Sequence, residues 1–355
     1  MIAYVINPGT ASTKLALAHI QPSDNPSLPG NIRVELEKRE VVHPDLPGPL
    51  IEKLPLIRQE IWQGIKGWPR PDAVVGRGGI LGPLPAGTYR VTQELADFAM
   101  HSPYRDHITN LGAPLALEVA KAYGVEAYVV DPMSVDELLP EARISGFPGA
   151  ERTSVFHALN AKAVARRTAY EVGKRFTDSV IVVAHLGNKS SITTYRKGRA
   201  IDTTGAHLEE GPFTPSATGM LPLSKLLDLA YQYPRERVEQ MLLFSAGFKG
   251  LTGTADLKEL EQRQDDPQVK LAVKAFVYQV AKYIGAYSVV AGRPDAIAIT
   301  GGIARWFSLV DLIEEKLSWI APVVVIPGEL ELEALGEGVG RVLVGHEQPK
   351  EWVKP

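Results

Sequence analysis

No cysteine occurs in the 355 residues, which removes disulfides, thiolate metal sites and cysteine nucleophiles together and fits a reducing cytoplasm. An excess of one charge is missing too. Thirty-eight basic residues stand against 41 acidic ones, for a net charge of -3, so nothing favours nucleic acid or an anionic membrane as a partner. The N-terminal apolar run has no basic stretch before it and is too short for a signal peptide or a membrane span. The eight histidines show no H-E-x-x-H or other paired ligand spacing, which argues against zinc. What remains is an ordinary globular composition, 45% hydrophobic and 22% charged, long enough for two domains. Small molecules are the expected partners.

The first informative stretch is NPGTASTK, at residues 7–14. A strand-like run, Ile2 to Ile6, empties into Asn7, Pro8 and Gly9, and Thr10, Ser12, Thr13 and Lys14 follow. Such a loop suits an anion. The familiar nucleotide loop G-x-x-x-x-G-K-[ST] needs a second glycine before its lysine and a helix after it. Here LALAHI follows, with Leu15, Leu17 and His19 alternating with Ala16 and Ala18. That pattern predicts a returning strand, and the loop becomes the bend of a hairpin.

The second half repeats the arrangement. SVIVVAHLG runs into Asn188, Lys189, Ser190 and Ser191, then ITTYR, a Lys197-Gly198 turn and RAIDTT. Two related β-β-β modules are inferred. The remaining pieces read as alternating helices and strands, with polar residues collecting at strand ends, where open α/β sheets bind ligands. GEGVG at 336–340 looks like part of a dinucleotide fingerprint. It falls inside a helical pattern, however, and is read as close helix packing.

In order, the segments VINPGTASTK, VVGRGGIL with GTYRV, HITNLGAPLA, VVDP, ARISG, RTSVFHALNAKAVARR, VVAHLGN, GRAID, EGPFTP, ITGGIA and IPGELELEAL resemble the butyrate kinase family. That family lies in the acetate kinase branch of the sugar kinase, heat-shock ATPase and actin superfamily. The resemblance covers nearly the whole chain. It implies an α/β protein of two duplicated ribonuclease H-like domains, the actin-like ATPase fold, with a cleft between them. The domains are expected at 1–155 plus 332–355, binding the acid, and 156–331, binding the nucleotide.

The implied chemistry is phosphoryl transfer from ATP to a short carboxylic acid such as butyrate or isobutyrate, giving an acyl phosphate and ADP with Mg2+. Acetate or propionate as the acid remains an alternative. A carboxylate is already nucleophilic at neutral pH, so catalysis is mostly alignment and charge neutralisation. Arg77 matches the arginine that pairs with the acid, a task suited to a planar fork. Asn7, Thr10, Ser12 and Lys14 match the first phosphate loop, and His185, Gly187 and Asn188 the second. Gly301 and Gly302 match the adenosine loop. Asp131, Glu329 and Glu331 match acidic residues linked to metal. His107 and His157 match histidines near the transferring phosphoryl group. Family members assemble as homo-oligomers, dimers or larger, in the cytoplasm.

Two positions depart from the pattern. HLGNK has Lys189 where a glycine is usual, and Ala217 stands in PSATG where the family commonly has an arginine. If position 189 required a left-handed backbone, lysine would cost roughly 1–2 kcal/mol there. Either Lys189 is catalytic and supplies the missing charge, or the chain binds nucleotide with little turnover.

Overall fold

A computed structural model describes residues 1–23, 32–43, 48–206 and 208–355. Two compact units emerge: Met1–Asp136 with Ala158–Ala163 and Leu330–Pro355, and Glu137–His157 with Val164–Glu329. The chain crosses between them four times, whereas crossings near 155 and 331 were expected. Hydrogen bonding explains the difference. Residues after Asp136 attach to a strand of the second unit, through Leu139 N–H to the Ile201 carbonyl at 3.0 Å and Ala200 N–H to Glu137 at 3.0 Å. Leu159 and Ala163, in contrast, pack into a core of the first unit.

The first unit holds β1 (Ile2–Pro8), β2 (Ser12–Pro22), β3 (Ile32–Val42), α1 (Leu50–Gly64), β4 (Ala73–Arg77), β5 (Thr88–Arg90), α2 (Gln93–Met100), α3 (Gly112–Tyr123) and β6 (Glu126–Val130). The predicted hairpin is there. β1 and β2 pair antiparallel from Ile2 opposite His19 to Pro8 opposite Thr13. The sheet order is β3-β2-β1-β4-β6-β5. Alternation then sorts the hairpin's side chains onto two cores, as a period of two requires. Tyr4, Ile6, Leu15 and Leu17 face one, while Ala3, Val5, Ala16 and Ala18 face the other.

The second unit begins with α4 (Pro140–Arg143), and α5 (Ala158–Glu171) carries the chain out of the first unit into it. His157 immediately precedes α5 as its N-cap residue. Then come β7 (Val180–His185), β8 (Ser191–Arg196), β9 (Arg199–Thr203), α6 (Leu223–Gln232), α7 (Arg235–Phe244), α8 (Gly247–Thr252), α9 (Leu257–Gln262), α10 (Pro267–Ala291), β10 (Ala296–Gly301), α11 (Phe307–Leu317) and β11 (Val323–Pro327). Its sheet order is β11-β10-β7-β8-β9. Read from the other edge, this repeats the first sheet from β3 to β6, so the duplication is a fact of topology. The Lys197-Gly198 bend takes φ of 52° and 80°, the left-handed pair that a tight hairpin needs.

The last helix, α12 (Glu331–Leu343), returns to the first unit and covers its alanine-lined face. A Cβ on Gly338 would lie 2.5 Å from both Val130 methyls, and one on Gly340 2.8 Å from Ile32. GEGVG is therefore a packing surface, as read. Large residues on α12 would lift it off the sheet.

Candidate active site

In the first unit, β1 and β4 run parallel with Ile6 opposite Gly76, so Asn7, next to last in β1, and Arg77, the last residue of β4, come side by side. Both are buried, at 6% and 5% exposure. Glu331, the first residue of α12, meets them. One of its carboxylate oxygens pairs with the Arg77 guanidinium, and the other accepts from Asn7 Nδ2 at 2.8 Å. Gly112 lets α3 start against this strand end, since a Cβ there would sit 2.1 Å from the Arg77 carbonyl.

The rest of the first loop is more open. Gly9 N–H donates to the Ser12 carbonyl at 2.9 Å, closing the bend. Thr10 and Lys14 are exposed and Ser12 is half-buried, its hydroxyl donating to Glu40 at 2.5 Å. Lys14 lies opposite Asn7 in the hairpin.

Asp131 follows β6 in the same unit, buried and left-handed at φ 38°. That conformation costs an ordinary residue about 1–2 kcal/mol, and aspartate is among those that visit it. Its Oδ1 accepts from Gly87 N–H at 2.8 Å and from Lys162 Nζ at 2.9 Å. The sequence reading missed Lys162. Its signal was a lysine inside an otherwise small and apolar helical run. His107 caps the turn Ile108–Leu111, its Nδ1 2.8 Å from Thr109 Oγ1.

In the second unit, the two loops expected around the nucleotide are neighbours. They leave the C-terminal ends of β7 and β10, which run parallel. Leu186 N–H donates to the Thr300 carbonyl at 2.8 Å, and Ile303 N–H to the Leu186 carbonyl at 3.0 Å. Gly301 has φ 93°, and a Cβ there would lie 2.2 Å from the Leu186 carbonyl oxygen. Only glycine fits. Gly302 is exposed with open space beside its Cα.

His185, at the end of β7, and His157 stack their rings 3.7 Å apart and 6° from parallel. His157 Nδ1 lies 2.9 Å from Ser191 Oγ, and His185 Nε2 lies 3.7 Å from Glu329. Gly187, Asn188 and Lys189 form the loop that follows. Lys189 does not take a positive φ, so the strain considered for a lysine there is absent.

Lys189 and Ala217 line one pocket of about 200 Å³, together with Asn188, Ser190, Glu209 and Glu210. Lys189 is the pocket's basic residue among those described. Burial pushes the Glu209 carboxyl above its usual range. Glu210 is clamped by Arg152 Nη2 at 2.6 Å and by the Tyr287 hydroxyl, which donates at 2.5 Å. Arg152 also donates to Asp202 at 2.9 Å, and burial outweighs that contact to hold Asp202 above its usual range. Arg152 opens the segment RTSVFH, but its carboxylate partners Asp202 and Glu210 are 50 and 58 positions away, which no local pattern reveals.

Comparison with solved structures gives the fold. The chain superposes on Porphyromonas gingivalis acetate kinase with a TM-score of 0.73, over 95% of this chain and 98% of that one, at 19% identity. A propionate kinase from Francisella tularensis gives 0.70 over the same shares. The fold is that of the actin-like ATPases. In sequence, residues 151–317 match the acetokinase family. A Deinococcus radiodurans protein described as "Probable butyrate kinase" is 51% identical over 99% of this chain and 94% of its own length. The chain belongs to the acetokinase family. It is a carboxylate kinase, making an acyl phosphate from a short-chain acid.

Proposed function

We propose that the acid is a four-carbon one, butyrate or isobutyrate, and that the first unit binds it while the second binds ATP. The single observation that carries the acid site is Arg77: a buried guanidinium already engaged by a carboxylate. A substrate acid would present the same group to the same fork. Asn7, Thr10, Ser12 and Lys14 would hold phosphate oxygens. His185, Gly187, Asn188, Gly301 and Gly302 would hold the nucleotide at paired strand ends, the usual place for a ligand in such sheets.

Lys189 is assigned the charge that neutralises the transferring phosphoryl group. Its place in the Ala217 pocket supports this. His157 and His107 are assigned as donors to phosphoryl oxygens, and Asp131 and Glu329 as carboxylates facing metal-bound water, a role the family pattern also offers Glu331, which is engaged here by Arg77 and Asn7. No cluster of three or more acidic or histidine ligands occurs among the described residues. That donor set suits magnesium arriving as the ATP complex, since this ion is usually held by one or two carboxylates plus substrate phosphates. No helix among the described residues is long and apolar enough to cross a membrane, and the reading places the enzyme in the cytoplasm. Exposed Leu223, Leu227 and Tyr231 on α6 support self-association into a dimer or larger assembly.

The deciding experiment is steady-state acyl phosphate formation, trapped with hydroxylamine, over acids of two to six carbons. A four-carbon optimum in kcat/KM is expected. Each methylene is worth about 1–3 kcal/mol in an apolar pocket, so the optimum should be visible as at least a several-fold preference. An optimum at acetate would reject the assignment.

A further inference from the structure

Glu331 does two things at once. One oxygen engages Arg77, and the other accepts from Asn7 Nδ2 at 2.8 Å. Its side chain is 12% exposed and that of Arg77 7%, so this is an enclosed carboxylate on an enclosed cation. It has the chemistry of the substrate acid. Asn7 meanwhile belongs to the loop assigned to phosphate.

We propose that Glu331 is a built-in competitor for both ligands, so that arrival of either one frees the anchor of the other. The proposal rests on the acid-site reading of Arg77. A buried guanidinium that lost its partner without replacement would be an uncompensated charge, so Glu331 leaves Arg77 when another carboxylate takes its place, and a phosphate that takes Asn7 removes the second contact that holds it there. Once displaced, it still has a favourable position. It is the first residue of α12, where the helix dipole favours a negative charge. Its departure also releases the Asn7 amide to donate to a phosphate oxygen.

Two thermodynamic consequences follow. Each ligand alone binds more weakly than its contacts warrant, because the competent state is only fractionally populated. The two ligands together bind cooperatively, with one coupling factor seen from both sides.

Titration calorimetry with butyrate and MgADP, a pair that cannot react, tests this on the full chain. In the wild type, saturating MgADP should tighten butyrate binding about five- to ten-fold, and butyrate should tighten MgADP binding by the same factor. Glu331→Gln should bind butyrate about ten-fold more tightly without nucleotide, with the coupling factor falling toward one. Glu331→Asp, which keeps the charge but shortens the reach, should move the same way by less. A thermal melt establishes that each variant is folded. If Glu331→Gln does not fold, the wild-type coupling factor and Glu331→Asp decide. Butyrate binding that is unchanged or weaker in Glu331→Gln, or coupling that survives the substitution, overturns the proposal. Arg77→Gln separates the two levels. If it binds butyrate as the wild type does, the acid-site reading fails. If it loses butyrate while Glu331→Gln gains nothing, only the role of Glu331 fails.

Discussion

The two hairpin bends, NPGTASTK after β1 and HLGNKSS after β7, occupy the same place in duplicated sheets but are furnished differently. The first presents an exposed Thr10 and Lys14 around a glycine bend, with its one buried amide, Asn7, tied to Glu331. The second backs onto two stacked imidazoles and carries its lysine beside a pocket. Duplication preserved the scaffold, and divergence moved the cation. In the first loop the lysine is on the returning strand; in the second it is at the tip. The lesson is that a shared bend fixes where a ligand can sit, while the side chains on it fix whether that ligand is held or transformed.

The comparison breaks most readily at the lysines. Lys189→Met should lower kcat on the order of 10²–10³-fold, the usual loss for one donor aimed at developing charge. Lys14→Met should mainly raise the KM for ATP. Equal losses of kcat from both would mean that the loops share the catalytic charge, and steady-state kinetics with trapped acyl hydroxamate would show it.

A smaller effect separates the two glycines after β10. Gly301→Ala forces a Cβ onto the Leu186 carbonyl at a left-handed position, and a thermal melt should show a loss of about 1–3 kcal/mol. Gly302→Ala meets open space. It should leave the melting temperature nearly unchanged while raising the KM for ATP several-fold.

The smallest expected effect is a pH dependence in the first unit. Burial alone would raise the Glu347 carboxyl, but Arg341 beside it and the Thr88 amide hold it below the usual glutamate range. A lowered folded value means that its contribution is present above the unfolded glutamate pKa and is lost as pH falls through the folded one. Glu347→Gln should therefore narrow the gap between melting temperatures at pH 7 and below pH 4. A gap equal to the wild type's would remove Glu347 from the account.

Much of the scaffold was legible in the sequence because strands announce themselves locally. LALAHI named the hairpin by its alternation, and the same alternation sorted leucine and alanine onto different cores. GEGVG was readable as packing because it falls inside a helical pattern without the strand and turn that precede a dinucleotide fingerprint. The helices α6 to α9 were not read individually; α6 has no fully buried residue, and Leu223, Leu227 and Tyr231 on it are exposed. Candidate site residues at strand ends were chosen by position and family likeness. The pairings were not. Asn7 and Glu331 are 324 positions apart, and the Lys162 contact to Asp131 depends on where α5 docks. Such contacts are products of packing, and a single sequence carries no local trace of them.

The return of α12 to the first unit bears on how the chain acquires its structure. Ala3, Val5, Ala16 and Ala18 are covered by the helix that follows Leu330, and Lys350 pairs with Thr88 and Arg90 through the backbone. The unit made first is thus the unit finished last. At about 5–20 residues per second, the ribosome takes many seconds to go from the first hairpin to the final helix, and that alanine face, which Leu159 and Ala163 of α5 also join, waits throughout for its last cover. The second unit, apart from its short segment before His157, is contiguous from Val164 to Glu329 and is complete before the first can close.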